Sequence, residues 1–332
     1  MNFKGVFMFA SILDSLAPIC LVFELLALFL SYYLKDSRIF FIALALLCAR
    51  TTYLYASLYQ AHLFVSLFLP FVFALFVVLK KSVLVFEKKS LVKLAVLAFV
   101  GVLALFLSKS TNFNASMDEQ LFALAFFSPI SSVSFVFFVA ELVFLLLWGI
   151  LKDEIHFTIA FALVFVQFLF STSIQSGFFE FSSLFFVCYM VWHTYKSLYF
   201  DTLTKLPNQK ALKRTLLGLD SYFLGALRLQ GLNGLNPKQE RILLKKIAKI
   251  LKKQDKSVRV FRVDEDFVFV FKSESENVVK AFLSTLKQGF DSTNSWLKDK
   301  ELKLITFTAL TKNEAKFEES LDALRANLAG KK

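Results

Sequence analysis

Seven stretches of about 20 apolar residues, each the length that carries a helix across a hydrocarbon layer, occupy the first 198 positions of the chain. They lie near 16–34, 39–58, 62–79, 91–108, 132–151, 156–174 and 179–197. Segments of that length and polarity belong in lipid, where every backbone N–H and C=O must be satisfied internally, so the expected form is a bundle of transmembrane helices.

The character changes after position 198. The chain is 57% hydrophobic and contains 43 Phe, yet residues 201–332 carry 26 Lys and Arg against 16 Asp and Glu, so +10 of the net +12 sits in the polar third. Two domains follow: 1–198, a multi-pass α-helical membrane domain of about seven helices, and 199–332, a basic domain with the composition of a water-soluble fold. Lys35 and Arg38, then Lys80, Lys81, Lys88 and Lys89, then Lys152, then Lys196 flank alternate loops. The positive-inside rule makes those loops cytoplasmic, which places the N-terminus outside and the polar domain in the cytoplasm. No cleavable leader is expected, because Asp14, Pro18 and Glu24 interrupt the first apolar region.

The membrane domain carries a repeat. ELLALFLSYYLKDSRIFFIALAL, from Glu24, aligns without gaps on ELVFLLLWGILKDEIHFTIAFAL, from Glu141, sharing Glu and Lys-Asp at fixed separation. Duplication of a three-helix unit, about 11–80 and 128–197, disposed in parallel around the fourth helix, is the expected origin. Ionisable groups inside a membrane need partners. Glu24 and Arg50 fall at one depth and are expected to pair, while Glu141 and Gln167 are their counterparts in the second copy. Such groups serve either to hold helices together or to line a path for an ion, proton or ligand. Cys20, Cys48 and Cys188 lie in apolar runs without metal-ligand spacing and are expected to be buried small hydrophobes. His62 and His193 are expected in interfacial or packing roles.

In the polar domain the periodicity predicts a helix at 208–218, a strand at 222–229, a helix at 238–254, a hairpin of strands at 258–264 and 267–272, a helix at 275–290, a strand at 303–309 and a last helix at 314–328. This order implies an α+β sandwich of the ferredoxin-like type.

FDTLTKLPNQKAL, residues 200–212, resembles the D-x-L-T-G-L-P-N-R opening motif of GGDEF domains, the diguanylate cyclases: Asp201, Leu203, Thr204, Leu206, Pro207 and Asn208 match in register. The resemblance extends over about 199–330 and implies the GGDEF palm on a seven-helix domain of the bacterial inner membrane. FRVDEDFVFVF, residues 261–271, then stands where the family has its R-x-G-G-D/E-E-F hairpin. Arg262 and Phe267 fit, but the interior is one residue short. Aligned from Phe267, Val263 and Asp264 take the places of the two glycines, Glu265 that of the metal carboxylate and Asp266 that of the catalytic Glu.

The family's other metal ligand comes from the first strand, within D-x-D/N-x-F-K. Residues 222–236 contain no Asp or Glu, and Arg228 stands near that site. Divalent ions bridging a triphosphate need hard oxygen ligands, so a cation in this place repels the metal. The nucleotide-contacting segment is shortened to NPKQERIL, and the R-x-x-D product site reads Lys252-Lys253-Gln254-Asp255. No catalytic residue, cofactor or metal is therefore expected.

The helix at 238–254 bears Lys238, Arg241, Lys245, Lys246, Lys249, Lys252 and Lys253. This basic face is either merely solvated or a surface for anionic lipid headgroups or an acidic protein. Three functions compete: a noncatalytic signalling or scaffold protein acting through other proteins at the cytoplasmic membrane, with homodimer formation one of its options; a divergent active diguanylate cyclase; and a transporter or channel with a regulatory cytoplasmic domain. The first is expected, and nucleic acid is not an expected partner.

Overall fold

The computed structural model describes residues 21–82, 87–107, 110–113, 130–170, 180–219, 222–229, 236–253, 258–272, 276–293 and 304–309. The chain divides into two compact units, Met1–Trp192 and His193–Lys332.

Helices of the first unit are α1 (Leu21–Tyr33), α2 (Ser37–Tyr55), α3 (Leu58–Val78), α4 (Lys88–Leu107), α5 (Ser132–Lys152), α6 (Ile155–Phe170) and α7 (Glu180–Tyr199), the last continuing into the second unit. By length and composition α2, α3, α4 and α5 can cross a membrane, which makes this a membrane protein; α1 and α6 are apolar but shorter. Side chains set the helix starts. Asp36 accepts from the amides of Arg38 and Ile39 to cap α2, Ser57 accepts from Gln60 to cap α3, and Ser131 accepts from Ser134 to cap α5.

The turns after α1 and α5 are built alike. Lys35 and Asp153 both adopt φ 58°, and the following amides, of Asp36 and Glu154, reach back to the carbonyls of Ser31 and Gly149. This is the left-handed C-terminal cap, here without glycine. Gly149 is required for another reason: a Cβ there would lie 2.9 Å from Thr158 Oγ1, whose hydroxyl donates to the Leu145 carbonyl at 2.7 Å. A helix-to-helix contact through small residues is the membrane way of packing closely.

Most of α3 is enclosed by its neighbours, whereas α4 and α5 turn much of their surface outward. Phe41, Phe73, Phe76, Phe138, Phe157, Phe161 and Phe186 are fully buried in one core. Ser66 and Ser134 hydroxyls meet at 2.9 Å between α3 and α5. Cys48 and Cys188 are exposed rather than buried, because in a bundle of apolar helices such side chains suit the outside as well as the inside. Cys20 lies outside the described residues.

The second unit contains α8 (Gln209–Leu216), β1 (Tyr222–Leu229), α9 (Pro237–Leu251), β2 (Arg259–Val263), β3 (Asp266–Lys272), α10 (Glu276–Thr293) and β4 (Leu304–Ala309). The sheet order is β2-β3-β1-β4, with every pairing antiparallel. β1 is joined through α9 to β2, with β3 inserted between them, which is the split βαβ arrangement of the ferredoxin-like fold. Side-chain alternation divides the strands between two layers. Phe267, Phe269 and Phe271 pack with α9 and α10 residues such as Ile247 and Leu283, while Val268, Val270, Leu224 and Ala226 pack with Leu212 and Leu216 of α8. The helix expected at 314–328 lies outside the described residues.

Candidate functional site

Each residue of the opening motif has a structural task. Asp201 accepts from the amide of Thr204 at 2.7 Å and from its hydroxyl at 2.6 Å, and its own amide donates to the Leu206 carbonyl at 2.8 Å. Lys205, where the family has glycine, takes φ 58°, so the tight turn is kept at some conformational cost. Leu206 is buried beside Leu227 and Ile247, and Leu203 packs on the edge of the same core. Asn208 caps α8 by accepting from Lys210 and Ala211, while its side-chain amide donates to the Leu198 carbonyl and its main-chain amide to that of Tyr199. The motif thus clasps the end of α7 to the start of α8. The Arg262 amide donates to the Pro207 carbonyl at 2.7 Å, which fastens the hairpin to the same clasp.

The hairpin turns at Asp264 and Glu265, with Val263 and Asp266 as the closing pair. Asp264 has φ 49°, the left-handed region for which glycine is the usual residue and which Asp tolerates better than most. Arg262 braces the turn: its guanidinium donates to the Glu265 carbonyl at 2.7 Å and lies over the Phe267 ring at 4.5 Å. Burial lowers the Arg262 pKa, against the pull of Asp201, Asp266, Glu265 and Asp264.

Asp266 opens β3, directly opposite Arg228 of β1. Arg228 Nε lies 2.6 Å from Oδ1 and Nη2 lies 2.7 Å from Oδ2, a fork holding both carboxylate oxygens. Asp266 is only 4% exposed. The hydrogen bonds that Arg228 donates to Asp266 raise the Arg228 pKa against the effect of burial. The carboxylate standing where the resemblance implies a catalytic Glu is therefore committed to a guanidinium standing where it implies a metal ligand. These residues do not fit a divalent ion: the positive charge that an ion would bring is already supplied covalently, and no group of three His, Cys, Asp or Glu able to hold a metal occurs among the described residues.

On α9, Lys238, Arg241, Lys245, Lys246 and Lys249 are exposed opposite the buried Leu243, Leu244, Ile247 and Leu251. The helix ends at Leu251, short of the expected 254, so Lys252 is its cap and Lys253 follows it in the turn. Ile242, 54% exposed, lies among the cations.

In the membrane unit Arg50 Nη2 lies 2.9 Å from Oε1 of Glu24, which is fully buried. Glu141 and Gln167 are half-buried on α5 and α6. His62 is buried, with Tyr53 Oη 3.4 Å from its Nδ1 and the Phe168 ring beside it at 5.3 Å, and His193 is exposed.

A second polar cluster, not singled out by the apolar pattern, joins the helix ends. Arg38 Nη1 is 2.7 Å from Glu154 Oε2, its Nη2 meets Oε1, and the guanidinium lies over Phe157. Lys81 Nζ is 2.6 Å from Asp36 Oδ2, and the buried Lys93 donates to Ser37 Oγ at 3.2 Å. The Arg38 hydrogen bond holds the Glu154 carboxyl below its ordinary pKa despite partial burial. Burial raises that of Asp36, but Lys81 and the Ile39 amide bring it below the ordinary value. Of these residues, Arg38 and Lys81 stand out in the sequence only as loop-flanking charges. Their partners are far apart along the chain, and spacing alone does not reveal them.

No protein-family model matches the chain, and no curated protein matches it. Among solved structures it is similar to the FimX GGDEF domain from Pseudomonas aeruginosa, at 17% identity and TM-score 0.35, over 40% of this chain and 92% of that chain. It is similar to the S helix-GGDEF-EAL part of LapD from Vibrio cholerae, at 18% identity and TM-score 0.34, over 41% and 35%. It is also similar to a diguanylate cyclase/phosphodiesterase from Caldicellulosiruptor saccharolyticus, at 21% identity and TM-score 0.31, over 41% and 86%. The structural neighbours of this chain are GGDEF and EAL domain proteins, matched over about two fifths of its length.

Proposed function

We propose that this is a seven-span signalling or scaffold protein of the bacterial inner membrane whose cytoplasmic GGDEF-like domain makes no cyclic di-GMP and works through contacts with other proteins. The observation that carries this reading is the Arg228–Asp266 fork. A cyclase needs carboxylates from β1 and the hairpin to share metal ions; here β1 offers a cation and the hairpin carboxylate is its counter-ion. Val263, Asp264, Glu265, Asp266 and Phe267 then serve as a structural hairpin. The test is turnover of GTP by the full-length protein in detergent with Mg²⁺ or Mn²⁺. No cyclic di-GMP is expected, and turnover that disappears in Asp266→Ala overturns the proposal.

The likeness of the turns after α1 and α5 supports duplication of the membrane domain. Asp36 and Glu154, which make the same backward hydrogen bond, are 118 residues apart (36 to 154), one more than the separation of Glu24 and Glu141. A one-residue slip at the turn accounts for the difference, and it sets Glu154 rather than Asp153 opposite Asp36. Such a domain has seven spans, N-terminus outside, with its second unit cytoplasmic. The exposed cations of α9 are then available to anionic lipid headgroups of the same leaflet. Neutralising Lys245, Lys249 and Lys253 should weaken recruitment of phosphatidylglycerol around the protein; unchanged lipid selectivity would count against this contact.

A further inference from the structure

We propose that the second unit carries a phosphate-binding groove beside the last turn of α7, at the open end of the hairpin strands and apart from their turn at Asp264 and Glu265, independent of whether that turn takes part in nucleotide turnover. The groove encloses about 690 Å³, within the range of small-molecule sites. Its cations converge from three elements. Arg214 comes from α8, Arg259 opens the edge strand β2, and Lys272 closes β3. All three are exposed, and no carboxylate lines the groove among the described residues.

Like charges drawn together with no counter-ion among the described residues repel one another in the folded state, and an anion relieves that repulsion. The chemistry of the wall narrows the anion further. Tyr195, Tyr199 and Phe200 form an aromatic side, with Tyr195 and Tyr199 centroids 4.9 Å apart. The Arg214 guanidinium lies over the Tyr199 ring at 5.6 Å, which fixes its plane and leaves its N–H edges for an oxygen fork. Two guanidinium groups and one ammonium around an aromatic surface suit a phosphate joined to an apolar or planar group. Two molecules present that chemistry: a free nucleotide and the headgroup of an anionic phospholipid.

The groove also includes Pro207 of the clasp and Phe261 of β2. An occupant would therefore tie the end of α7 to α8 and the edge strand.

The test uses the full-length protein in phosphatidylcholine nanodiscs, reading hydrogen exchange of α8 and β2. One arm adds ATP, GTP or inorganic phosphate in the presence of a metal chelator; the other replaces a third of the lipid with phosphatidylglycerol. Slowed exchange in the first arm identifies a soluble phosphate ligand, and slowed exchange only in the second identifies a lipid headgroup. Arg214→Gln with Arg259→Gln should weaken the effect at least tenfold. Lys272→Gln, at an exposed strand end where the fold is not at risk, should weaken it severalfold. Lys280→Gln, an exposed cation of α10 outside both the groove and the α9 face, should leave it unchanged. Unchanged exchange in both arms, or equal loss from the groove variants and Lys280→Gln, overturns the proposal.

Discussion

Arg228 and Asp266 face each other across β1 and β3 and are joined by two hydrogen bonds of 2.6 and 2.7 Å. Removing one partner leaves the other charge half-enclosed by the sheet. Asp266 is the more buried, so Arg228→Ala, which strands a carboxylate, should be the worse single change. With Arg228 side-chain exposure of 30% allowing water to compensate in part, a loss of about 2 kcal/mol is expected, below the full cost of a broken buried pair. The double change to Leu should recover most of it. A thermal-melt cycle with additive losses would show that the pair is not coupled.

Glu154 gives the membrane unit a pH dependence. Its folded pKa lies below the ordinary value because Arg38 donates to it, outweighing burial, whereas the unfolded value is about 4.3. A depressed carboxylate contributes stability that is fully present above the unfolded pKa and is lost as pH falls through the folded one. Asp36, depressed by Lys81, acts in the same sense. The melting temperature in detergent should therefore fall between about pH 5 and pH 3. Glu154→Gln should cost about 2 kcal/mol at pH 6 and show a smaller fall. A fall of equal size in parent and variant would remove Glu154 from the explanation.

What was legible before the structure follows from how local each feature is. β1 runs Tyr222–Leu229 as its alternation indicated, and the split βαβ order follows from the sequence of elements. The pairing depth of Glu24 and Arg50 could be counted along two adjacent helices. The capture of Asp266 by Arg228 depends on β1 and β3 being neighbours in one register, although each residue stands out separately in the sequence. Arg38 with Glu154 lies further out of reach, since it joins two turns 116 positions apart. Burial of Lys93 was hidden for a different reason: hydropathy reads a lysine near a helix start as a solvent-facing flank, but its ammonium is satisfied by Ser37 and lies over the Phe41 ring.

Glu24 and Arg50 form the ion pair between α1 and α2, with Glu24 wholly buried and Arg50 at 19% side-chain exposure. An unmatched charge at that depth is costly. Arg50→Gln should cost about 3 kcal/mol by leaving Glu24 without its guanidinium, and Glu24→Gln somewhat less, because Arg50 retains partial access to the surface. Glu24→Gln combined with Arg50→Gln should be milder than the sum. The melting temperature and yield of the three variants check this, and wild-type behaviour of both single variants would exclude a structural role for the pair.

The clasp at the end of α7 predicts that the phase of this helix matters. α7 is one helix to Tyr199. Asn208 then takes hold of the Leu198 and Tyr199 carbonyls, and Arg262 takes hold of Pro207. No Gly- or Pro-rich linker intervenes, so a shift or rotation of the helix can pass into the fold through hydrogen bonds rather than being lost in flexible chain. Four Gly/Ser residues inserted after Lys196 should break that path while leaving the helices before it and the clasp after it intact. Capture of partner proteins from membranes should change with the insertion, at unchanged protein level and membrane insertion. Asn208→Ala, which removes the cap of α8 at a cost of about 1 kcal/mol, should move capture in the same direction to a smaller extent. If the insertion variant captures the same partners in the same amounts as the parent, the domain is only tethered by α7, and transmission through the clasp is excluded.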